Sequence, residues 1–308
     1  MTGFENHAGF TISSSKLQIV EIIQKDDQFV LENVDEAFFN EPLNLVNDKE
    51  TKISALLQGA FDEIVIKNQI TSRTASFSLP PEIFKVVQLP YDNTLLHQDL
   101  IEEFRWELSL IYPDIIPSEQ VIQYLEVDKN KLIDKNTSIV ISLSRKYIQL
   151  IKDFCDNNNM RLKFIDNIHL ASERALTVNN SFSEKGLILS VFLAGRYLSV
   201  LFTLQAKPVY FKVYYLHNAG DIVKHISSEL DSNQYPNINR KVLESAFISG
   251  QELSPTMIDA LREKLNIPLV NFNPFSKLKP NPKLFENRYF SEKFNSFSPS
   301  AGIALRLA

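Results

Sequence analysis

Residues 9–22 read GFTISSSKLQIVEI and carry the pattern that decides the fold. Apolar runs at Phe10–Ile12 and Leu17–Ile23 flank a polar break at Ser13–Lys16, which is typical of two strands joined by a turn. A third run, Gln28–Val34, follows after another polar break. We therefore expect the chain to open with a three-stranded meander.

The next part of the chain alternates between two periodicities. Apolar residues recur every three or four positions in four segments, which predicts helices at Lys49–Ile66, Gln98–Tyr112, Arg145–Asn158 and Ile168–Thr177. Shorter apolar runs bounded by proline or polar residues predict strands at Ala75–Leu79, Phe84–Leu89, Gln120–Val127, Ser138–Leu143 and Leu162–Ile165.

A polar stretch at residues 180–186 (NSFSEKG) is the best internal boundary, and a similar order of elements follows it. Strands are predicted at Leu187–Leu193, Tyr197–Leu204, Val209–Tyr215 and Val242–Ile248, and helices at Gly220–Leu230, Pro255–Leu265 and Ser300–Leu307. Asn271–Lys283 contains three prolines and is expected to be a surface loop. Because each half opens with a meander, the sequence indicates a weak repeat of two α/β lobes.

The composition limits the functions that the chain can have. Its 308 residues are 44% hydrophobic and 22% charged, which is typical of one elaborate or two ordinary globular domains. Only 8 residues are glycine, about 3% against an average near 7%, which disfavours several glycine-lined phosphate loops. The net charge is −5 with basic residues dispersed, so no nucleic-acid partner is expected.

No motif of a known catalytic or metal site is present. The P-loop, the dinucleotide-binding glycine pattern and the nucleophile elbow are absent, and the single cysteine, Cys155, excludes a cysteine-based zinc site. The five histidines form no metal-binding pair, so we expect neither catalytic residues nor a metal. No apolar stretch approaches about 18 residues and no signal peptide begins the chain, so we expect a cytoplasmic protein without membrane insertion.

Six segments in the same order resemble PilM-type pilus-assembly proteins, which are actin-like members of the group that includes FtsA. The resemblance is carried by GFTISSSKLQIVEI (Gly9–Ile22), SFSLP with VVQLP (Ser76–Pro80 and Val86–Pro90), EEFRWELSLIYP (Glu102–Pro113), the strand–helix–strand segment Ile141–Asp166, the stretch Ile248–Phe275 and SPSAGIALR (Ser298–Arg306). These segments are colinear over nearly the whole chain.

The resemblance implies a two-lobed actin-like (ribonuclease H-like) α/β fold with a small inserted α+β subdomain. Lobe I would comprise residues 1–71, 159–183 and 291–308. The inserted subdomain would comprise residues 72–158, and lobe II residues 184–290.

The resemblance also implies a nucleotide cleft between the lobes, but the residues of that cleft are degenerate. Thr11 and Ser190 align with two aspartates that face magnesium in the family, and Phe192 aligns with a glycine of a phosphate-binding turn. We therefore expect no cofactor and no MgATP hydrolysis. The residues aligned with this cleft are Thr11, Ser13, Ser190, Phe192, Gly220, Asp221 and Gly250.

We predict a non-catalytic scaffold. It would serve a type IV pilus or secretion-type assembly and could be recruited to the inner face of the membrane. The resemblance implies a groove for the cytoplasmic tail peptide of a membrane protein, with Phe104 and Trp106 as aromatic anchors. One alternative is an active ATPase that binds ATP and Mg²⁺ through Asp221, Lys16 and Ser13–Ser15. Another is a repurposed actin-like protein in an unrelated process. The oligomeric state stays open.

Overall fold

The computed structural model describes residues 5–25, 28–179, 186–231, 237–251 and 253–307, so most of the predicted boundary at 180–186 lies outside the described residues. The strands within those residues, numbered in chain order, are β1 (His7–Ile12), β2 (Lys16–Lys25), β3 (Gln28–Phe38), β4 (Thr74–Leu79), β5 (Phe84–Pro90), β6 (Gln120–Val127), β7 (Thr137–Ser144), β8 (Arg161–Asn167), β9 (Leu187–Ala194), β10 (Tyr197–Leu204), β11 (Lys207–Tyr215), β12 (Leu243–Gly250), β13 (Leu269–Asn271) and β14 (Lys279–Pro280).

Within the described residues, every helix but one lies close to its predicted position, where apolar residues recur at helical spacing. The exception is the four-residue helix Arg288–Ser291, which was not predicted and buries no residue. The helices are α1 (Glu50–Lys67), α2 (His97–Ile111), α3 (Arg145–Asn157), α4 (Ile168–Asn179), α5 (Gly220–Leu230), α6 (Pro255–Leu265), α7 (Arg288–Ser291) and α8 (Ser298–Ala304). Among the helices of the described residues, none combines the length and the apolar character that a membrane crossing requires.

Two sheets repeat one topology and confirm the two predicted lobes. The lobe I sheet has the order β14-β3-β2-β1-β4-β8, and the lobe II sheet has the order β11-β10-β9-β12-β13. In each sheet an antiparallel meander continues into parallel strands, through β4 and β8 in lobe I and through β12 and β13 in lobe II. A third sheet, β5-β7-β6, belongs to the inserted subdomain.

The inserted subdomain is smaller than the predicted range 72–158. Strand β4 lies inside that range but pairs in parallel with β1 of the lobe I sheet, with His7 opposite Thr74. Helix α3 also belongs to lobe I, since Ile151 and Phe154 pack into the core beneath that sheet. The subdomain therefore consists of β5, α2, β6 and β7.

The predicted end of lobe II at residue 290 differs from the structure. Strand β14 pairs in parallel with β3, so the chain returns to lobe I before residue 280. The predicted surface loop Asn271–Lys283 is also wrong in part, because Phe272, Phe275 and Leu278 are buried in the core that contains Val34 of β3. Burial of this apolar surface holds the returning segment against lobe I.

The subdomain contacts lobe II as well as lobe I. Ile133 and Ile139 are buried in the same core as the inner face of the lobe II sheet. The side-chain amide of Gln88 donates a hydrogen bond to the Val209 carbonyl of β11 over 3.1 Å. The subdomain thus bridges the lobes on one side of the molecule.

Helices α4 and α8 cross between the lobes at very short range. An added Cβ at Gly302 of α8 would lie 1.7 Å from the Ala171 carbonyl oxygen of α4. On its other side α8 meets β1, where a Cβ at Gly9 would lie 2.1 Å from the Ser300 carbonyl oxygen. Both glycines are therefore required by close backbone approach.

We predict that Gly302→Ala destabilises the protein by about 3 kcal/mol, because the backbone atoms at the crossing must separate to admit a methyl group. Gly59→Ala is the matched control, since nothing lies within 4 Å of a Cβ at that helical position. It is expected to stabilise the protein by up to about 1 kcal/mol through helix propensity. Urea denaturation of both variants measures the two effects, and equal stability of the two would contradict the tight crossing.

Candidate functional site

A cleft of about 430 Å³ opens between the two lobes, where the β1–β2 turn faces the β9–β10 turn. The two turns supply opposite walls, and the segments after β3, β4 and β12 supply the rest. Its lining residues are Ser13, Ser14, Leu43, Asn44, Val46, Asn47, Pro80, Glu82, Ile168, Ala194, Gly195, Arg196, Tyr197, Tyr215 and Gln251. Of the residues predicted from the sequence, Ser13 and Ser14 belong to this set.

Three backbone N–H groups of the β1–β2 turn are used within the turn itself. The Ser13 hydroxyl oxygen accepts hydrogen bonds from the N–H groups of Ser15 and Lys16, at 3.3 and 3.1 Å. The N–H of Ser13 donates to the Lys16 carbonyl over 3.0 Å. A phosphate group at this turn would compete with these bonds for its donors.

The Lys16 ammonium group is held away from the cleft by an ion pair. Its Nζ lies 2.6 Å from a carboxylate oxygen of Glu36, whose side chain is fully buried. Gln18 donates a second hydrogen bond to the same oxygen over 3.0 Å. Lys293 approaches the other carboxylate oxygen at 3.7 Å, so separating the Lys16 pair would leave the buried carboxylate with this more distant cation only, which is costly.

The hydroxyls of Thr11 and Ser190 bond to the crossing helices. The Thr11 hydroxyl lies 2.6 Å from the hydroxyl of Ser300 in α8 and 2.7 Å from that of Ser78 in β4. The Ser190 hydroxyl lies 2.9 Å from Nε2 of His169 in α4. Both hydroxyls therefore join a strand to a helix below the cleft. Ser190 lies five residues before the β9–β10 turn, whereas Thr11 lies two residues before the β1–β2 turn, so Ser190 does not hold the position of the expected aspartate.

Phe192 does not occupy the second turn, contrary to the sequence alignment. It is fully buried inside β9, and its ring centroid lies 5.8 Å from that of His169. The turn itself is formed by Gly195 and Arg196, with Gly195 at φ +57°. The Arg196 side chain donates a hydrogen bond to the Tyr215 hydroxyl over 3.0 Å. Steric exclusion of phosphate by Phe192 is therefore not supported.

Helix α5 begins at Gly220, which confirms the predicted helix Gly220–Leu230. The carboxylate of Asp221 accepts hydrogen bonds from the N–H groups of His217 and Asn218, at 2.8 and 3.1 Å. These bonds lower the pKa of Asp221. The side chain thus closes the loop before α5, and it does not line the cleft.

Gly250 is explained by strand packing. It has φ +139°, and an added Cβ would lie 2.3 Å from the Leu193 carbonyl oxygen. The following residue, Gln251, lines the cleft and donates its N–H to the same carbonyl over 3.0 Å. The close approach of β12 to β9 accounts for this glycine without a ligand.

Glu82 is the carboxylate among the cleft-lining residues of the described chain. Burial raises its pKa, which makes it a poorer metal ligand than an exposed carboxylate. Within the described residues, no group of three or more His, Cys, Asp or Glu side chains is placed to hold a metal ion. The expected absence of a metal stays a prediction.

A second concave surface, here called the strand-edge groove, runs between β6 of the subdomain and β8 of lobe I. Both strands are terminal in their sheets, so each has one unpaired edge. The groove consists of two adjoining cavities of about 190 and 670 Å³. The cavities share Val121, Gln123, Ile141, Asp166 and Leu170, and apolar side chains dominate the smaller one.

The predicted aromatic anchors lie away from this groove. Phe104 is 1% exposed and packs against Ile122 and Val140 in the subdomain core, so it is no anchor. Alternate residues of a strand point to opposite faces, and Val121 faces the groove, so α2 covers the opposite face of this sheet. Trp106 is 60% exposed on α2, and no tail peptide in the groove would meet it.

A buried acid lies where α4 contacts lobe II. The Glu173 side chain is 5% exposed, and within the described residues its carboxyl oxygens have no hydrogen-bond partner. Burial raises its pKa to about 8, and the nearby hydroxyls of Ser190 and Thr203 oppose that shift. Glu173 is therefore mainly protonated at neutral pH. Sequence periodicity could place it on α4 but could not indicate which face lobe II covers.

Comparison with known proteins shows the fold. The chain superimposes on PilM in a PilM–PilN type IV pilus biogenesis complex with a TM-score of 0.72, at 16% identity and with 99% of both chains covered. A protein of unknown function from Bacteroides thetaiotaomicron, with an actin-like ATPase fold, matches with a TM-score of 0.52 at 10% identity, covering 88% of this chain and 91% of that one. No protein-family model matches the chain, and no curated protein does. The predicted two-lobed actin-like fold is confirmed.

Glu173 gives the protein a specific pH dependence. Its folded pKa lies near 8 and its ordinary value near 4.5, so the folded state binds the extra proton between these values. Stability from this group is therefore present at low pH and is lost as the pH rises through 8. Between pH 5.5 and 8.5 the wild type should lose on the order of 3 kcal/mol more than Glu173→Gln.

Guanidinium denaturation of both proteins at the two pH values measures this difference. Burial lowers the pKa values of His7 and His169 to about 4 and about 3, which acts in the opposite direction at acidic pH. Both histidines are present in both proteins, so their contribution cancels in the comparison. Parallel pH profiles of wild type and variant would contradict a buried protonated Glu173.

Proposed function

We propose that this protein is a non-catalytic actin-like scaffold that binds an extended peptide of a membrane protein and does not use MgATP. The main support for the absence of MgATP use is the β1–β2 turn, where hydrogen bonds within the turn already use N–H groups that a phosphate would need. Phosphate binding in such turns depends on backbone N–H groups that point at the ligand. In this chain the donors of Ser13, Ser15 and Lys16 already have partners inside the turn.

The charged groups of the cleft support the same proposal. Magnesium prefers carboxylate oxygens and waters in near-octahedral geometry. Thr11 and Ser190 supply neutral hydroxyls to the crossing helices, and Asp221 lies outside the cleft lining. Use of Lys16 for phosphate would require separation of its ion pair with Glu36. These contacts count against the ATPase alternative.

The bridging subdomain also favours a static role. Nucleotide-driven proteins of two lobes act by closing and opening around the ligand. Here Ile133 and Ile139 are buried in the lobe II core while Leu143 is buried in the lobe I core. Opening the lobes would expose part of this apolar surface to water, so the arrangement resists such motion.

The strand-edge groove is the proposed binding site for the partner. An extended peptide can add a strand to an exposed sheet edge, with main-chain hydrogen bonds for affinity and side-chain pockets for specificity. The groove offers two such edges, β6 and β8, beside an apolar cavity. The likeness to PilM of a PilM–PilN complex supports a partner from a pilus or secretion-type assembly.

We predict that about 1 mM MgATP leaves the melting temperature unchanged. A ligand at one hundred times its dissociation constant stabilises a protein by about 2.7 kcal/mol, so an affinity near 10 µM would be readily visible. MgADP and metal-free nucleotides are the matched controls, measured by differential scanning calorimetry. A stabilisation specific to MgATP or MgADP would support the ATPase alternative.

We further predict that a photo-crosslinking amino acid at Val121 captures the cytoplasmic tail of a membrane protein in cells of the source organism. Val121 is half-buried and lines both cavities of the groove. The same amino acid at Lys264, exposed on α6, is the control. Mass spectrometry should find the tail only with the Val121 variant, and identical products at both positions would contradict the groove assignment.

A further inference from the structure

The outward face of α2 combines exposed apolar side chains with uncompensated negative charge. Trp106 is 60% exposed and Leu110, one turn further along the helix, is 57% exposed. Asp99 and Glu103 lie on the same face at helical spacing. Within the described part of the chain, neither of these two carboxylates forms an ion pair or a hydrogen bond.

The acidity extends along the chain on both sides of α2. Residues 91–128 contain nine carboxylates and one basic residue, Arg105, for a net charge of −8. The complete chain has a net charge of −5, so the remainder carries +3. A charge concentrated in this way attracts oppositely charged partners and repels anionic lipid headgroups.

The other sides of α2 are already in use. Leu100, Phe104 and Leu108 are buried against the subdomain sheet, whose opposite face borders the strand-edge groove. Among the described residues of α2, the groove is lined only by His97 at the start of the helix, so the Trp106–Leu110 face lies more than two turns away from it. A partner that binds this face would therefore not compete with the peptide proposed above.

We propose that the Trp106–Leu110 face of α2 is a second docking surface, and that its occupant is a basic amphipathic helix of a partner protein. The partner's apolar stripe would cover Trp106 and Leu110, as helices commonly lie in apolar grooves. Its lysine or arginine side chains would meet Asp99 and Glu103 and could pack over the indole ring. Tryptophan is among the residues that most often dominate binding energy at such interfaces.

Trp106 is the single tryptophan of the chain, so intrinsic fluorescence reports on this surface alone. The probe is a synthetic helical peptide of leucine and lysine only, with the leucines on one face. Its addition should shift the Trp106 emission to shorter wavelength with saturation at one peptide per protein. A peptide of the same composition with the leucines dispersed around the helix, and one with glutamate for lysine, should produce no shift.

Two double charge-reversal variants distinguish binding at this face of α2 from general attraction between the basic peptide and an acidic protein. The double variant Asp99→Lys with Glu103→Lys should bind the peptide at least about tenfold more weakly, which is about 1.4 kcal/mol of binding free energy. Asp153→Lys with Glu263→Lys makes the same charge change on exposed positions of α3 and α6 and should weaken it less than about twofold. Leu110→Ser tests the apolar half, and circular dichroism checks that each variant is folded.

Three results would overturn the proposal. Peptide binding without a change in Trp106 emission would place the site elsewhere, and equal weakening by both charge pairs would reduce it to long-range attraction. An emission that shifts with protein concentration alone would show that a second copy of this chain covers the face. Val121→Lys, which alters the strand-edge groove, should leave the emission shift intact, so this test and that of the peptide groove can fail separately.

Discussion

The structure depends on the close crossing of α4 and α8, where two helices and a strand meet at backbone distance. Gly302 admits the Ala171 carbonyl of α4, and Gly9 of β1 admits the Ser300 carbonyl on the other side of α8. Helix α4 in turn bonds to lobe II, where Nε2 of His169 lies 2.9 Å from the Ser190 hydroxyl and the Ser172 hydroxyl lies 2.9 Å from that of Ser249, so the crossing helps to fix the two lobes relative to each other. The facing turns of the cleft and the buried hydroxyls beneath it take their positions from the crossing.

Much of the fold could be predicted from the sequence, because its elements carry strong local patterns. Apolar periodicity located the helices to within one or two residues, as in Gly220–Leu230 and Pro255–Leu265. The domain limits could not be predicted in this way, since they depend on contacts between distant segments. Lys279–Pro280 returns to β3 across more than two hundred residues, and no local pattern distinguishes that return from a proline-rich loop.

The site was predicted less well, for reasons of register and direction. The alignment placed Phe192 in a phosphate turn, whereas the hairpin turn begins three residues later, at Gly195 and Arg196, and leaves Phe192 in the core. On α2 the spacing of Phe104 and Leu108 already directs Trp106 outward, so this exposure was readable from the sequence. The bonds from Ser13 to the turn N–H groups had no sequence signal beyond the run of serines.

The hydroxyls beneath the cleft explain how the junction between the lobes can be stable without a ligand. In an actin-like ATPase, charged ligand groups at the strand ends are stabilised by the bound metal and phosphates. Unliganded carboxylates there would repel one another and lose hydration. Thr11 and Ser190 carry no charge, and each neutral hydroxyl bonds to a crossing helix, through Ser300 and His169. These buried positions are therefore satisfied by the chain's own side chains, which is consistent with the scaffold proposed above.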